Sequence, residues 1–421
     1  MAATLTTADK ILKYVYSSRE LQNAVYKDNP LFALMPKQGG FDGRSVIFPI
    51  TYGNSLARSA AFATAQSRAN VNGVAVGIAG DIGKNLDVNF TVTRVQNYAT
   101  YSITQELLLA AKGDRGSFVK ALTQLVDGTL QTLKNDFGRD IYGDGSGTLG
   151  QLTNVSGTTF TVGDAITQIE VGMELVVSTG STKTAILRNS GTGCYVTAVN
   201  RSAGTFTVNL NTDTAATGDW LFIKGDRTVA AITGISTCLK IAGMDAWNPI
   251  TAPTGGDSFF GTDRSVDVTR LAGQRLDISA YNSEEGYIVA LAALAREGGD
   301  PSHIFTSFTN EKDLKLALGS RVDSKYDTVG DIGFESIRLH GPKGTVKVYA
   351  DRNAPVGYAR LLQLDTWEFR HLGDLVNKGD AGGDGGMARE YQADRFEGRM
   401  ATYGNVFCHK PSANMVVTLP T

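Results

Sequence analysis

Cysteine is scarce in this chain of 421 residues: Cys194, Cys238 and Cys408 lie far apart, with no C-x-x-C pair among them. That spacing excludes a disulfide framework and a zinc cluster and fits a reducing compartment. Proline is also low, at 10 against 48 glycines, so backbone bends must come from glycine, as in β-rich chains with long hairpins and loops. No charge sign dominates: 40 Lys+Arg against 42 Asp+Glu leave a formal net charge of −2, without the basic footprint of a dedicated nucleic-acid reader. No run of about 18 apolar residues could span a bilayer. The N-terminal "MAATLTTADKILKYVYSSRE" lacks the continuous apolar stretch of a signal peptide. No membrane partner is therefore expected, and the Asn-x-Ser/Thr matches at Asn89, Asn154 and Asn200 read as chance.

Length alone suggests two or three domains. The first 44 residues read as an arm. "ADKILKYVYSSRELQNAVY" has helical apolar spacing through Ile11, Leu12, Val15, Ala24 and Val25, and "NPLFALMP" follows as an apolar anchor. "RSVIFPITYG" then alternates, with Val46, Phe48, Ile50 and Tyr52 on one face, and its expected partner "NLDVNFTV" places Leu86, Val88, Phe90 and Val92 likewise. Between them, residues 57–84 are rich in small residues and read as a long loop that must lie on something else, because it cannot bury itself. Arg58, Phe62, Arg68, Asn70 and Lys84 within it are the candidate assembly contacts.

"TQELLLAA" reads as a short helix capped by Thr104. The longest helical pattern follows, "SFVKALTQLVDGTLQTLKNDFGRDIY", with Phe118, Leu122, Val126, Leu130, Leu133, Phe137 and Ile141 forming one apolar stripe. Ser117 is its expected cap, and Gly128 and Gly138 inside it suggest close neighbours, since each costs about 1 kcal/mol relative to Ala. After it comes "YGDGSGTLG", in which Gly145, Gly147 and Gly150 spell G-x-G-x-x-G. A phosphate loop of that kind must follow a strand and open a helix. Here the order is reversed, so the run reads as a helix stop at Gly143 and a hinge.

Residues 151–226 are strand-like throughout, with two related hairpins, "NVSGTTFTV" and "NRSAGTFTV", and read as a small β-barrel or sandwich of five or six strands inserted into a parent domain. From 227 onward the pattern is mixed: helices at "EEGYIVALAALAREGG" and "TNEKDLKLALGSR" (begun by Thr309 or Asn310), and strands through to the C-terminus. The four histidines are scattered, and Cys408 and His409 would point to opposite faces of a strand. "GDAGGDGG", with Asp380 and Asp384, matches neither an EF-hand loop nor a β-roll repeat and reads as a flexible loop. The three tryptophans read as core. Nothing assembles into a catalytic or metal constellation, so neither an enzyme nor a cofactor is expected.

In this order the pieces resemble the major capsid protein of tailed bacteriophages, the Hong Kong 97 coat fold. "NPLFALMPKQGG", "NDFGRDIYGDGSGTLG", "FFGTDRSVDVTRLAGQRLD" and "DIGFESIRLHGPKGTVKVYADRNAP…LLQLDTWEF" carry the resemblance. It implies an α+β fold, with an N-terminal arm over 1–44, an extended E-loop hairpin over 45–95 and a peripheral domain over 96–150 whose spine helix is 117–142. The inserted β-domain at 151–226 departs from the minimal fold. The peripheral domain would continue over 227–284, the axial domain would occupy 285–370, and 371–421 would return to the peripheral domain. It also implies hexamers and pentamers of an icosahedral head around double-stranded DNA, found in the virion and assembled in the host bacterial cytoplasm. Its partners would be further copies, a scaffolding protein, a portal, and a decoration or cement protein. Near-zero net charge suits weak, non-specific contact with packaged DNA, since phosphate contacts dominate affinity. An encapsulin-like compartment shell is the alternative, and would need an enzyme cargo and no portal.

Overall fold

The structure, a computed structural model, describes residues 29–54, 57–69, 85–106, 115–181, 187–211, 214–227, 240–319, 324–329, 332–373, 377–378, 388–390 and 393–420. They form a mixed α+β fold with three large sheets and one isolated hairpin. The long helix spans Arg115–Asp140. Val126, Leu130, Leu133 and Phe137 are buried along one side of it, and Ile141 continues the line, as the gaps of three and four require. That side packs on a sheet whose central strand, Arg395–Cys408, pairs with Val95–Thr104 and with Trp367–His371. Phe32, Phe137 and Phe369 meet there at ring separations of 5.2 to 6.1 Å. Gly138 lies against a neighbour, as expected: a Cβ there would fall 2.2 Å from Asn353 Nδ2. Gly128 does not, because no described residue approaches its Cβ position within 4 Å.

The helix does not stop on Gly143. That residue takes no positive φ; the left-handed positions are Gly145 and Gly147, at 83° and 81°. Ile141 and Tyr142 are buried, Gly143 N–H still donates to Asp140 O, and only beyond them is the chain free to reverse. The module that follows contains seven short strands, in the hydrogen-bonded order Thr148–Gln151, Trp220–Ile223, Glu174–Ser178, Cys194–Asn200, Thr205–Val208, Thr159–Thr161, Asn154–Ser156. Seven replaces the expected five or six because part of the Gly-rich run pairs as a strand: sheet bonds use backbone groups and need no side chain. All seven pair only with one another, over a core that includes Phe160, Leu175, Val196, Phe206 and Leu221. The related hairpins turn at Gly157 and Gly204, both at positive φ.

A second α/β unit places helices Ser283–Arg296 and Phe308–Leu318 against a sheet ordered Gln274–Asp277, Met415–Thr418, Tyr358–Leu362, His303–Thr306, Gly344–Ala350, Ile332–Gly341, Ser324–Val329. The second helix is capped by Ser307, whose side chain accepts from Asn310 N–H, and not by Thr309 or Asn310. The segment 371–421 does not act as one return: Arg395–Cys408 joins the long-helix sheet, whereas Met415–Thr418 joins this one, in parallel with Gln274–Asp277. Asn414 sits at the changeover, accepting from Trp367 Nε1 at 2.8 Å and Gln363 N at 2.9 Å and donating to Lys410 O. The two units meet through buried polar links. Arg360 donates to Asp245 Oδ1 at 2.7 Å and to Asn248 O, and Tyr142 donates to Asp351 at 3.0 Å. Trp247 and Trp367 are core residues, while Trp220 is half-buried.

Candidate assembly surface

The isolated hairpin pairs Ser45–Gly53 with Leu86–Thr93, Phe48 opposite Phe90. A two-stranded hairpin is marginal alone in water, so something must hold it. Its inner face carries Phe48, Ile50, Phe90 and Val92, all buried. Phe48 meets Phe407 at 5.6 Å and His409 at 4.7 Å; Phe90 meets Trp247 at 5.4 Å. Burial alone would raise the Glu368 carboxyl, but hydrogen bonds from His409 and Arg370 outweigh it and hold it low. His409 Nε2 is 3.1 Å from Glu368, so the base of the hairpin rests on an imidazole fixed by a carboxylate.

"FFGTDRSVDVTRLAG" supplies the second support. Phe259 and Thr262 form a bridge around Phe260 and Gly261, which both take positive φ (48° and 86°), the geometry of a tight primed turn. Phe260 O accepts from Thr91 N–H at 2.9 Å and Thr262 Oγ1 donates to Asn89 O at 2.9 Å, so the turn grips the outer edge of the hairpin. Arg264 holds the turn in place, 4.1 Å from the Phe259 ring centroid and 2.7 Å from Asp257. The next two aspartates, Asp263 and Asp267, cap Ser265 N–H and Arg270 N–H. The Ser265 hydroxyl and N–H hold the Asp263 carboxyl below its usual range. Arg270 then donates to Tyr52 O at 2.5 Å.

The inner face is fixed and the outer face is open. Ile47 is 68% exposed, and Phe62, which opens the helix Phe62–Ala69, is 80% exposed. The expected structureless loop therefore contains a helix, nucleated beside Ser59, whose Oγ accepts from Ala61 N–H at 3.2 Å. Arg58 is exposed just before it and Arg68 lies within it; Asn70 and Lys84 fall outside the described residues. Arg58, Phe62 and Arg68 thus lie along one short stretch of chain, with Arg58 and Phe62 exposed. A further apolar surface had no place among the sequence candidates: Phe308 and Leu316, 60% and 73% exposed, lie eight residues apart on the outer side of their helix. Their signal was present, since Leu314 and Leu318 define the buried side and leave these two off it.

Among the described residues no group of three or more His, Cys, Asp or Glu could hold a metal ion. No described helix is long and apolar enough to cross a membrane. The arm residues 1–28, most of the "TQELLLAA" helix, Cys238 and the run containing Asp380 and Asp384 lie outside the described residues. Cys194 and Cys408 are buried, and burial pushes the Cys408 thiol up, away from nucleophilic use.

No family model and no curated protein matches the chain. The solved structures to which it is similar include phage capsid proteins. One is the capsid asymmetric unit of cyanophage A-1(L), with 10% identity, a TM-score of 0.45 and 92% of each chain covered. Another is a protein of Mycobacterium phage Adephagia, with 10% identity and a TM-score of 0.42, covering 93% of this chain and 90% of that one. A third, phage G gp27 major capsid proteins with gp26 decoration proteins, has 6% identity and a TM-score of 0.38, covering 94% of this chain and 90% of that one. At such identities no residue correspondence follows.

Proposed function

We propose that this chain is the major capsid protein of a tailed bacteriophage, self-assembling into hexamers and pentamers of an icosahedral head around double-stranded DNA. The observation that carries the reading is the hairpin: its inner face is locked into the main core by aromatic rings, while Ile47 on its outer face and Phe62 in its connection stand in solvent. Exposed apolar side chains on a fixed hairpin are suited to burial on a neighbouring copy, and a head-to-tail contact whose rotation closes builds a ring. In this reading the hairpin and its connection are the E-loop, Arg115–Asp140 is the spine helix and the module at 148–223 is an inserted domain on the outer surface. The second α/β unit is the axial domain, with Phe308 and Leu316 facing the neighbours around an axis. The balanced sequence charge supports a lining that touches DNA weakly. A scaffolding protein, a portal and a decoration protein bound to the module are the partners the reading implies, with the virion as its location and no catalytic role.

Light scattering of the purified chain, with and without a scaffolding protein, tests this. Particles of capsid size are expected; monomers or dimers alone, even with scaffold present, would refute it.

A further inference from the structure

A cluster of buried charge among the described residues lies away from the hairpin, at the end of the long helix. Asp136, Arg139 and Asp140 occupy its last turn. Lys240 Nζ lies 3.2 Å from Asp226, 3.7 Å from Asp140 and 3.8 Å from Asp136. Arg139 lies 3.1 Å from Asp140, 3.3 Å from Asp136 and 3.9 Å from Asp226. Lys240 also donates to Asn97 Oδ1, at 3.3 Å, on the strand Val95–Thr104. The side chains of Lys240 and Asp140 are only 6% and 2% exposed. Asp226 lies three residues past the module's last strand, and Lys240 lies further along the chain, beyond the module. On the entering side, a Cβ on Gly147 would lie 3.1 Å from Lys240 Cγ. Five charges therefore hold both chain crossings of the module to the helix.

The module's apolar core is separate from the main core. Where it faces the helix there is a cavity of about 140 Å³, lined by Asn135, Asp136 and Arg139 on the helix, Gln168 and Met173 on the module, and Arg352 from the second unit. Gln168 Oε1 is buried there without a hydrogen-bond partner. Arg352 donates to Thr167 O at 3.3 Å, and Glu170 pairs with Arg201 at 2.9 Å.

We propose that this knot of Asp136, Arg139, Asp140, Asp226 and Lys240 is an adjustable clamp that sets the angle of the β-module against the long helix, tightening when it takes up a proton. The proposal does not depend on the assembly role. Three carboxylates share two cations, so the closed clamp holds one surplus negative charge among largely buried side chains, where like charges repel more than in water. Burial raises the Asp136 and Asp226 carboxyls above their ordinary value. It acts the opposite way on Lys240 and Arg139, but the carboxylates outweigh it and keep both cations charged. Asn97, on the strand beside them, is neutral; Arg352 and Glu170 line the same cavity as Asp136 and Arg139, and Asp144 and Arg227 interact with each other. The sign follows from linkage: the closed clamp binds a proton more readily than an open, hydrated one, so acid favours closure and rising pH loosens it.

Spin labels at Ser202→Cys on the module and Gln124→Cys on the helix, in full-length Cys238→Ser chain diluted with unlabelled protein, report the angle by pulsed electron resonance. Wild type is expected to give one narrow distance peak at the acid end, near about pH 4 where an ordinary aspartate begins to protonate, and a broader distribution near about pH 8. Lys240→Met, which leaves three carboxylates against one cation, should lose the narrow peak at both. Asp136→Asn, which balances the charges, should keep it at both. Broadening in Asp136→Asn at acid pH, or a wild-type width that ignores pH, would overturn the proposal; Asp136→Asn decides it even if Lys240→Met does not fold.

Discussion

One substitution, made at two places on one helix, should have opposite effects. Glycine in a helix interior costs about 1 kcal/mol relative to alanine. At Gly128 no described residue lies within 4 Å of the added Cβ, so Gly128→Ala should stabilise by about that amount. At Gly138 the Cβ would fall 2.2 Å from Asn353 Nδ2 and 2.3 Å from Asn29 Oδ1. Ordinary contact is about 3.5 Å, so both amides must move by roughly 1.2 Å. Their mutual hydrogen bond of 3.0 Å would break, and the bond from buried Asn29 to Lys134 O at 3.3 Å would strain. Buried amides left unpaired cost about 1–3 kcal/mol each. Taking two such groups against the helical gain, Gly138→Ala should destabilise by about 1–3 kcal/mol, allowing for partial repair by rotation of the amides. Urea unfolding of the unassembled chain, followed by fluorescence of buried Trp247 and Trp367, reads the difference. Stabilisation by Gly138→Ala, or equal effects at the two sites, would refute the reasoning.

Asp351 is buried and its carboxyl is pushed up to about 6 by burial, against hydrogen bonds from Asn353, Tyr142 and Leu31. The native chain then holds a proton that the unfolded chain has lost, so this group's contribution to stability falls as pH rises from about 4 to about 6, by up to about 3 kcal/mol. Asp351→Asn should flatten that slope in urea titrations run across the window; an unchanged slope would contradict the assignment. Phe62→Ser should leave subunit unfolding within about 0.5 kcal/mol of wild type, because the side chain is exposed, while lowering the yield of particles by sedimentation. A large loss of subunit stability would place Phe62 in the subunit's own core instead. Replacing 148–223 with a short Gly-Ser linker should preserve cooperative unfolding of the remainder, because the module's strands pair only with each other, and should lower the melting temperature of assembled particles. Collapse of the remainder into an unfolded chain would refute the separation.

The parts of the fold legible in the sequence are those whose pattern follows from one buried face. Val46, Phe48 and Ile50 alternate because the hairpin has one covered side, and the partner strand shows the same alternation. The long helix was legible through Val126, Leu130, Leu133 and Phe137, and the two module hairpins through Gly157 and Gly204. Local chemistry misled where tertiary contacts decide. Gly143 looked like a helix stop, but Tyr142 is drawn into the core by Asp351, and the left-handed turn moves to Gly145. Thr148–Gln151 looked like a linker because glycine hides a strand that pairs through its backbone. The division of the C-terminus between two sheets follows from Asn414, whose side-chain bonds cannot be read from residue order. At the candidate surface, Phe62 was legible as the lone aromatic of a small-residue stretch, whereas Ile47 was not, since its exposure depends on which face of the hairpin the Trp247 cluster covers. The charge knot was illegible too, because folding brings Asp226 and Lys240 to a helix that ends at Asp140.

The central claim is that this chain builds a closed shell in which the hairpin of one copy lies on the next. Electron cryo-microscopy of particles formed by the purified protein tests it most directly. The account predicts icosahedral shells of hexamers and pentamers, with density for Ile47 and Phe62 buried against a neighbouring copy and the β-module on the outer surface. Discrete monomers or dimers, or shells in which both side chains stay in solvent, would contradict it.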